Sequence, residues 1–192
     1  MANIYKILNE YDEKIHSQFG EDGIIKEILN RIKIENLDKY CVEFGARDGI
    51  SDSNTYNLIK NHKYKAVLIE GDKRYFKKLC KNFVSDEIIK LNKFVDFYGE
   101  NSLDKILQNT IIPTNFDKVI DFLYLDSLDG QFEGASFHQL EEIKIAKKNL
   151  KKDSLVLLDD KGDKTNLSID YMLKNDFRII NETREQVLLS YK

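Results

Sequence analysis

The fold of this chain is decided by two short stretches, Cys41-Val42-Glu43-Phe44-Gly45-Ala46-Arg47-Asp48-Gly49 and Ala66-Val67-Leu68-Ile69-Glu70-Gly71-Asp72. Each is an apolar run that contains or ends in an acidic residue beside glycine, and together they predict strand, tight turn, helix and strand. Glycine lets the backbone approach a ligand closely. Glu70 stands where a carboxylate can accept hydrogen bonds from both hydroxyls of a ribose. The two stretches therefore point to a cofactor that carries a nucleoside.

The composition is that of one globular domain. The chain has 192 residues, enough for one domain with a substantial core but short for two. Apolar residues make up 42% of it, and no run of roughly 18 apolar residues predicts a membrane span. The net charge of −3, with both signs interspersed, does not favour a nucleic-acid partner. Residues 1–13 lack the apolar core of a secretory signal, and the two cysteines, Cys41 and Cys80, fit a reduced cytoplasmic protein.

Hydrophobic spacing divides the chain into alternating strands and helices. The predicted strands are residues 40–44, 65–69, 88–97, 119–125 and 154–158. The predicted helices are residues 18–34, 54–61, 73–83, 102–108, 137–149 and 167–174, with Ser53 or Asn54 as the cap of the second. Two further β runs, residues 177–181 and 186–191, are joined by a short polar link, which predicts a hairpin.

This alternation predicts a doubly wound α/β sheet with helices on both faces. By analogy with known folds, the closing hairpin distinguishes between two kinds of α/β domain. Dinucleotide-binding Rossmann domains usually end in another parallel strand, whereas class I methyltransferase domains insert an antiparallel strand at the end. We therefore expect a single domain over residues 1–192 with a Rossmann-like class I methyltransferase fold. Its sheet should be mostly parallel and seven-stranded, with a C-terminal antiparallel hairpin. Residues 1–36 should form an N-terminal helical segment or lid.

The chain contains three notable motifs: Ser17-Gln18-Phe19-Gly20-Glu21-Asp22-Gly23, residues 42–49 with 53–59, and residues 67–72. In this order they resemble the N-terminal signature, the first motif with its helix, and the second motif of the FkbM-like methyltransferases, a bacterial family. After residue 125 the chain departs from the family, since Asp126-Ser127-Leu128-Asp129-Gly130 stands where the family has Asp-Ile-Asp-Gly-Asn-Asp-Tyr. Residues 138–160 look more like small O-methyltransferases.

The resemblance implies S-adenosylmethionine (SAM) as the cofactor. Backbone N–H groups of the turn at Gly45 to Gly49, at the start of a helix, would meet its carboxylate. Glu43 would accept from its ammonium group and Glu70 from its ribose, while residues at the end of the third strand would contact the adenine. The complete predicted cofactor set is Glu43, Gly45, Ala46, Asp48, Gly49, Glu70, Gly71, Asp96, Phe97 and Asp126.

Three carboxylates follow the fourth and fifth predicted strands: Asp126, Asp159 and Asp160. Neighbouring parallel strands place them on one edge of the sheet, where oxygen ligands could hold Mg²⁺ or another divalent cation. Such a cation could bind an acceptor hydroxyl and lower its pKa. The alternative is that Asp126 contacts the cofactor while the other two carboxylates cap the following loop.

The predicted catalytic residues are Asp126 and His138. His138 has an ordinary pKa near neutral and could act as a general base, or it could be a surface histidine at a helix end. Lys161 and Lys164 lie in a loop after the fifth strand that could meet an anionic substrate or face water.

The function expected from these features is SAM-dependent O-methylation of a sugar or another small hydroxyl acceptor. The partner is then a small molecule or glycan, and a homo-oligomer is left open. Two alternatives remain. One is a non-catalytic SAM-binding or scaffold protein. The other is an NAD-dependent oxidoreductase, which the lack of Gly-x-Gly-x-x-Gly spacing in the first turn disfavours.

Overall fold

A computed structural model describes residues 8–17, 20–32, 39–95, 99–102, 105–106, 120–126, 133–183 and 185–192 of the chain. Its strands are β1 (Tyr40–Phe44), β2 (Lys65–Ile69), β3 (Ile88–Leu91), β4 (Ile120–Leu125), β5 (Leu150–Leu158), β6 (Phe177–Glu182) and β7 (Val187–Tyr191). Its α-helices are α1 (Glu21–Ile32), α2 (Tyr56–His62), α3 (Lys73–Asn82), α4 (Ala135–Ala146) and α5 (Asn166–Leu173). Short 3₁₀ segments lie at Leu8–Tyr11 and Lys147–Asn149. Among these residues, no helix combines the length and apolar composition needed to cross a bilayer.

The strands described form one sheet in the order β3-β2-β1-β4-β5-β7-β6. Strands β1 to β5 pair in parallel, and β7 lies antiparallel between β5 and β6. The mostly parallel seven-stranded sheet with a C-terminal antiparallel hairpin, predicted from the sequence, is confirmed. The chain winds outward from β1 to β3 and then returns to β4 on the other side of β1. That reversal is the switch point at which open α/β sheets bind ligands.

Alternate residues of the central strands supply two separate hydrophobic cores, one on each face of the sheet. On the first face, Val42 and Phe44 of β1 pack in a cluster with residues of α4 and α5, among them Ile143 and Met172. On the second face, Cys41 of β1 belongs to a cluster with residues from the other three helices, namely Ile24, Ile25 and Ile28 of α1, Leu58 of α2 and Leu79 of α3. Both faces are therefore covered by helices, which explains why β4 is buried at every position.

Several element boundaries differ from the predictions, including those of β3, β5 and α2. Strand β3 ends at Leu91 instead of residue 97, and β5 begins at Leu150 instead of residue 154. Helix α2 begins at Tyr56, although Ser53 does accept, through Oγ, from the N–H group of Tyr56 at 3.0 Å. The predicted helix at 102–108 falls largely outside the described residues.

The N-terminal segment is tied to the start of α1 by one carboxylate. Asp22 Oδ2 accepts from the N–H groups of Ile15, His16 and Ser17 at 3.0, 2.6 and 2.7 Å. In return, the N–H group of Asp22 donates to Ser17 Oγ at 3.1 Å. The His16 ring packs edge-on against Tyr56 of α2, with centroids 4.4 Å apart. Ser17 and Asp22 thus hold the preceding chain against the start of α1, and His16 joins it to α2.

Candidate active site

The candidate site lies along the carboxyl edge of β1, β2, β4 and β5. Phe44 pairs with Ile69, so the residues that follow β1 and β2 emerge side by side. Leu125 pairs with Leu158, which places Asp126 next to Asp159. The predicted site residues described by the structure therefore do meet on one edge.

The turn after β1 is packed so closely that its glycines have no room for a side chain. Gly45 has φ 65°, and a Cβ atom there would lie 2.5 Å from the carbonyl oxygen of Asp126. Gly49 has φ 76°, and its Cβ would lie 2.4 Å from the ring of Phe83 and 2.6 Å from Leu79. Positive φ and close backbone approach both require glycine here. The turn thereby brings β1 against the end of β4.

Several N–H groups of the turn are used within the protein. Those of Ala46, Arg47 and Gly49 donate to other protein groups, as do those of Ile50 and Ser51 just after it. The N–H groups of Ile50 and Ser51 both donate to Asp48 Oδ1. Partial burial raises the pKa of Asp48, but these hydrogen bonds outweigh burial, so the net pKa is lowered. Helix α2 begins only at Tyr56. The helix does not start directly after this turn as predicted, because Asp48 closes the loop first, and anion binding by the turn stays a prediction.

Glu70 joins β2 to the turn after β1. Its Oε2 accepts from the N–H group of Arg47 at 2.7 Å, and its Oε1 accepts from that of Asp72 at 2.6 Å. The residue is only 7% exposed. Each carboxylate oxygen has two lone pairs, so each can accept a further hydrogen bond from a ligand. The carboxylate is thus fixed in place at the switch point.

An aromatic side chain that the sequence analysis missed lies beside Glu70. Asn92 Nδ2 donates to the carbonyl oxygens of Glu70 and Gly71 at 2.8 and 3.1 Å, which folds the chain after β3 over the end of β2. A Cβ atom on Gly71 would lie 2.3 Å from the ring of Phe94, and Phe94 is 72% exposed. The sequence feature that points to Phe94 is an aromatic side chain three residues after the end of β3. Two residues predicted to contact the adenine lie outside the described residues: Asp96 and Phe97.

Glu43 fastens the loop before α2. Its Oε1 accepts from the N–H group of Asn54 at 3.0 Å, and its Oε2 accepts from the hydroxyls of Ser53 and Thr55 at 2.9 and 2.5 Å. Burial raises the pKa of Glu43 to about 7, helped by the charge of Asp126 and opposed by these hydrogen bonds. Glu43 therefore organises this loop, and its contact with a cofactor ammonium, directly or through water, stays a prediction.

The acidic cluster already contains a cation, the ammonium group of Lys164. Lys164 Nζ lies 3.1 Å from Asp126 Oδ1 and 3.1 Å from Asp160 Oδ2. Its side chain is only 2% exposed, so the prediction that it faces water is wrong for Lys164, whereas Lys161 is 34% exposed and pairs with Glu182. Contact of this loop with an anionic substrate stays a prediction. Within the described ranges, no group of three or more His, Cys, Asp or Glu residues is placed to hold a metal ion. The predicted metal site at Asp126, Asp159 and Asp160 is therefore not supported.

Asp159 remains outside these ion pairs. It is buried, and Gln139 Nε2 donates to its backbone carbonyl at 3.3 Å. Burial, and then the nearby charge of Asp126, raises the pKa of Asp159 to about 7. Its Oδ1 atom is buried without a hydrogen-bond partner among the residues described. A carboxyl group of this kind can take up a proton near neutral pH.

His138 is not a surface residue. It is buried in the first turn of α4, and its Nε2 lies 3.2 Å from Oε1 of Glu142, one helical turn further on. The surface alternative is therefore wrong. Helix α4 starts at the carboxyl edge, where Gln139 contacts Asp159, so His138 lies at that edge too. Its ring, however, faces the carboxylate of Glu142 in the same helix.

The strand order and this edge define a class I methyltransferase fold of Rossmann-like type. A protein from Staphylococcus aureus described as a candidate caffeoyl-CoA O-methyltransferase superposes with a TM-score of 0.58 at 14% identity, over 98% of this chain and 92% of that one. The S-adenosylhomocysteine (SAH)-bound methyltransferase PaMTH1 of Podospora anserina gives 0.58 at 11% identity, over 100% and 88%. A methyltransferase from Geobacter sulfurreducens gives 0.56 at 17% identity, over 99% and 86%.

No known family pattern matches the chain, and no curated protein sequence does. At identities this low, the similarity to solved structures establishes the fold alone. The resemblance to FkbM-like proteins remains a prediction of the sequence.

Proposed function

We propose that this chain is a SAM-dependent methyltransferase that methylates a hydroxyl oxygen. The observation that carries the proposal is the carboxylate of Glu70, which the N–H groups of Arg47 and Asp72 hold at the switch point of a methyltransferase fold. A fixed bidentate acceptor in this position suits the paired hydroxyls of a ribose.

The neighbouring residues fit the rest of the cofactor. Phe94 presents an exposed ring beside Gly71, and aromatic faces stack on purine bases. At Gly45, the turn after β1 meets the backbone of Asp126 with no side chain between them. Asp126, whose side chain is about one-third exposed, is the acidic group placed next to that turn for a positively charged ligand end.

The chain would contribute alignment and a proton acceptor. When bound, SAM supplies an electrophilic methyl group on a sulfonium. The edge of the sheet would hold an acceptor hydroxyl in line with that methyl group, and such alignment is the main source of rate in methyl transfer. Asp159 would take up the proton that the acceptor hydroxyl releases. Its position at the carboxyl edge and its pKa of about 7 support this role better than His138, whose ring faces Glu142 within its own helix.

A sugar or another small hydroxyl acceptor is proposed because the sequence resembles the FkbM-like methyltransferases. The start of α1 meets the ends of β6 and β7 next to β5, and the small crevice there, about 10 Å³, has polar and apolar lining residues: Glu21, Ile24, Ile25, Leu157, Asn181, Thr183, Gln186 and Leu188. The amide, carboxylate and hydroxyl groups among them are of the kind that contacts an acceptor hydroxyl.

Calorimetry with SAM, SAH and NAD tests the proposal. SAM and SAH should bind and raise the melting temperature, and NAD should do neither, because only ligands that bind the folded state stabilise it. Stabilisation by NAD alone would contradict the proposal. Binding of SAM without methyl transfer to any sugar, nucleotide sugar or small alcohol in a mass-spectrometric screen would favour the non-catalytic SAM-binding alternative.

A further inference from the structure

The loop that carries Lys164 is held firmly between β5 and α5. The N–H groups of Asp163 and Lys164 donate to the carbonyl oxygen of Asp160 at 3.2 and 3.1 Å. The N–H group of Lys161 donates to the carbonyl oxygen of Glu185 at 2.8 Å. The Lys164 side chain therefore leaves a closed turn and points into the protein, where its exposure is 2%.

The ammonium group of Lys164 bridges two neighbouring strands. Asp126 follows β4 and Asp160 follows shortly after β5, and each places a carboxylate oxygen 3.1 Å from Nζ. A buried ammonium is costly unless it is paired in this way. Burial lowers the pKa of Lys164, but the charges of Asp126 and Asp160 outweigh that effect and the net pKa is raised. The ammonium is thus a permanent charge at the acceptor side of the edge.

We infer that Lys164 is a positioning residue whose ammonium takes the place of a divalent cation at this edge, so that the acceptor site needs no metal ion. A cation between these strands would neutralise two carboxylates and fix their separation, and the ammonium does both. Among the described oxygens of Asp126, Asp159 and Asp160, Asp159 Oδ1 is then the buried one without a hydrogen-bond partner. The consequence for methyl transfer rests on the proposed function, but the exclusion of a metal by the ammonium does not.

Manganese binding, measured by electron paramagnetic resonance in wild type, Lys164→Met and Lys164→Arg, tests this inference. We expect wild type and Lys164→Arg to bind Mn²⁺ no better than Asp126→Asn does. Lys164→Met should bind at least about tenfold more tightly, because two carboxylates lose their counter-ion. The double variant Lys164→Met with Asp126→Asn should lose that gain.

Two outcomes would overturn the inference. One is stoichiometric Mn²⁺ binding by wild type that Asp126→Asn removes, a result that does not depend on whether Lys164→Met folds. The other is a folded Lys164→Met or Lys164→Gln variant, checked by circular dichroism, with no gain in Mn²⁺ affinity. Chelator provides a separate readout, since SAH affinity and any methyl transfer of wild type should be unchanged in it. Failure of wild type to bind SAH would contradict the proposed function and leave the Mn²⁺ result standing.

Discussion

Glu70 carries two tasks at once. It accepts from Arg47 and Asp72, which locks β2 to the turn after β1, and it presents the same carboxylate to the switch point. The sequence indicated the second task, since an acidic residue after a strand next to glycine is typical of ribose recognition. The first task depends on the hydrogen bond from the backbone N–H group of Arg47 to the side chain of Glu70, 23 residues away, and became visible only in the folded chain.

Glu70→Gln should weaken SAH binding at least about tenfold, because hydrogen bonds to a charged acceptor contribute roughly 1.5–3 kcal/mol and an amide has one acceptor oxygen. Calorimetric titration is the measurement. Glu87→Gln, at a side chain that is 67% exposed, is the control and should bind like wild type. Equal affinities in Glu70→Gln and wild type would show that this carboxylate does not hold the ribose.

Phe94→Ala should weaken SAH binding by about five- to 150-fold, since stacking of a base on an aromatic ring is worth roughly 1–3 kcal/mol. Phe137→Ala is a matched control, because Phe137 is also an exposed phenylalanine, at 64%, but lies on α4. The same titration compares the two variants. If both bind as wild type does, the adenine lies elsewhere.

At the scale of elements, the turn after β1 is the tightest junction of the site. Gly45 has to combine a positive φ with an approach to a backbone carbonyl, that of Asp126, which cannot move cheaply. This contact joins the end of β1 to the end of β4, on the two sides of the switch point.

Gly45→Ala should lower the free energy of unfolding by about 2–4 kcal/mol, combining left-handed strain with the clash. Gly162→Ala is the matched control. Gly162 also has a positive φ, 92°, but a Cβ atom there would meet nothing within 4 Å. It should cost only about 1 kcal/mol. Urea denaturation measures both, and a Gly45→Ala loss no greater than that of Gly162→Ala would mean that the turn is not tightly packed against β4.

The same scale shows how far sequence reasoning reaches. Strands β1 and β2 have the predicted bounds, because short apolar runs between polar turns define buried strands locally. The predicted end of β3 was too late in the chain. The side chain of Asn92 donates to the carbonyl oxygens of residues 70 and 71, and this long-range contact is not visible in the sequence. Lys164 was misjudged because its partner Asp126 is 38 residues away, and neither spacing nor composition reveals such a pairing.

At the scale of the whole molecule, the carboxyl edge concentrates buried acids. Glu43 and Asp159 both have pKa values raised to about 7 by burial, on either side of Asp126. Each binds a proton in the folded state at pH values where it is ionised in the unfolded chain. The fold is therefore expected to lose stability as pH rises through this window.

For Glu43 the window runs from about pH 4.5, the ordinary value, to about 7. Unfolding releases a proton there, so the free energy of unfolding should fall by roughly 1–3 kcal/mol as pH rises across it. Glu43→Gln cannot titrate and should show a shallower decline, whereas Glu87→Gln should match wild type. Urea denaturation between about pH 5 and 8 measures the slopes. Parallel slopes in wild type and Glu43→Gln would contradict the raised pKa.

A crystal structure of the protein with SAH tests the central claim most directly. We expect the ribose hydroxyls within hydrogen-bonding distance of Glu70, the adenine against Phe94, and the homocysteine end toward the turn at Gly45. An adenosyl group bound away from the ends of β1 and β2 would contradict this account of the site.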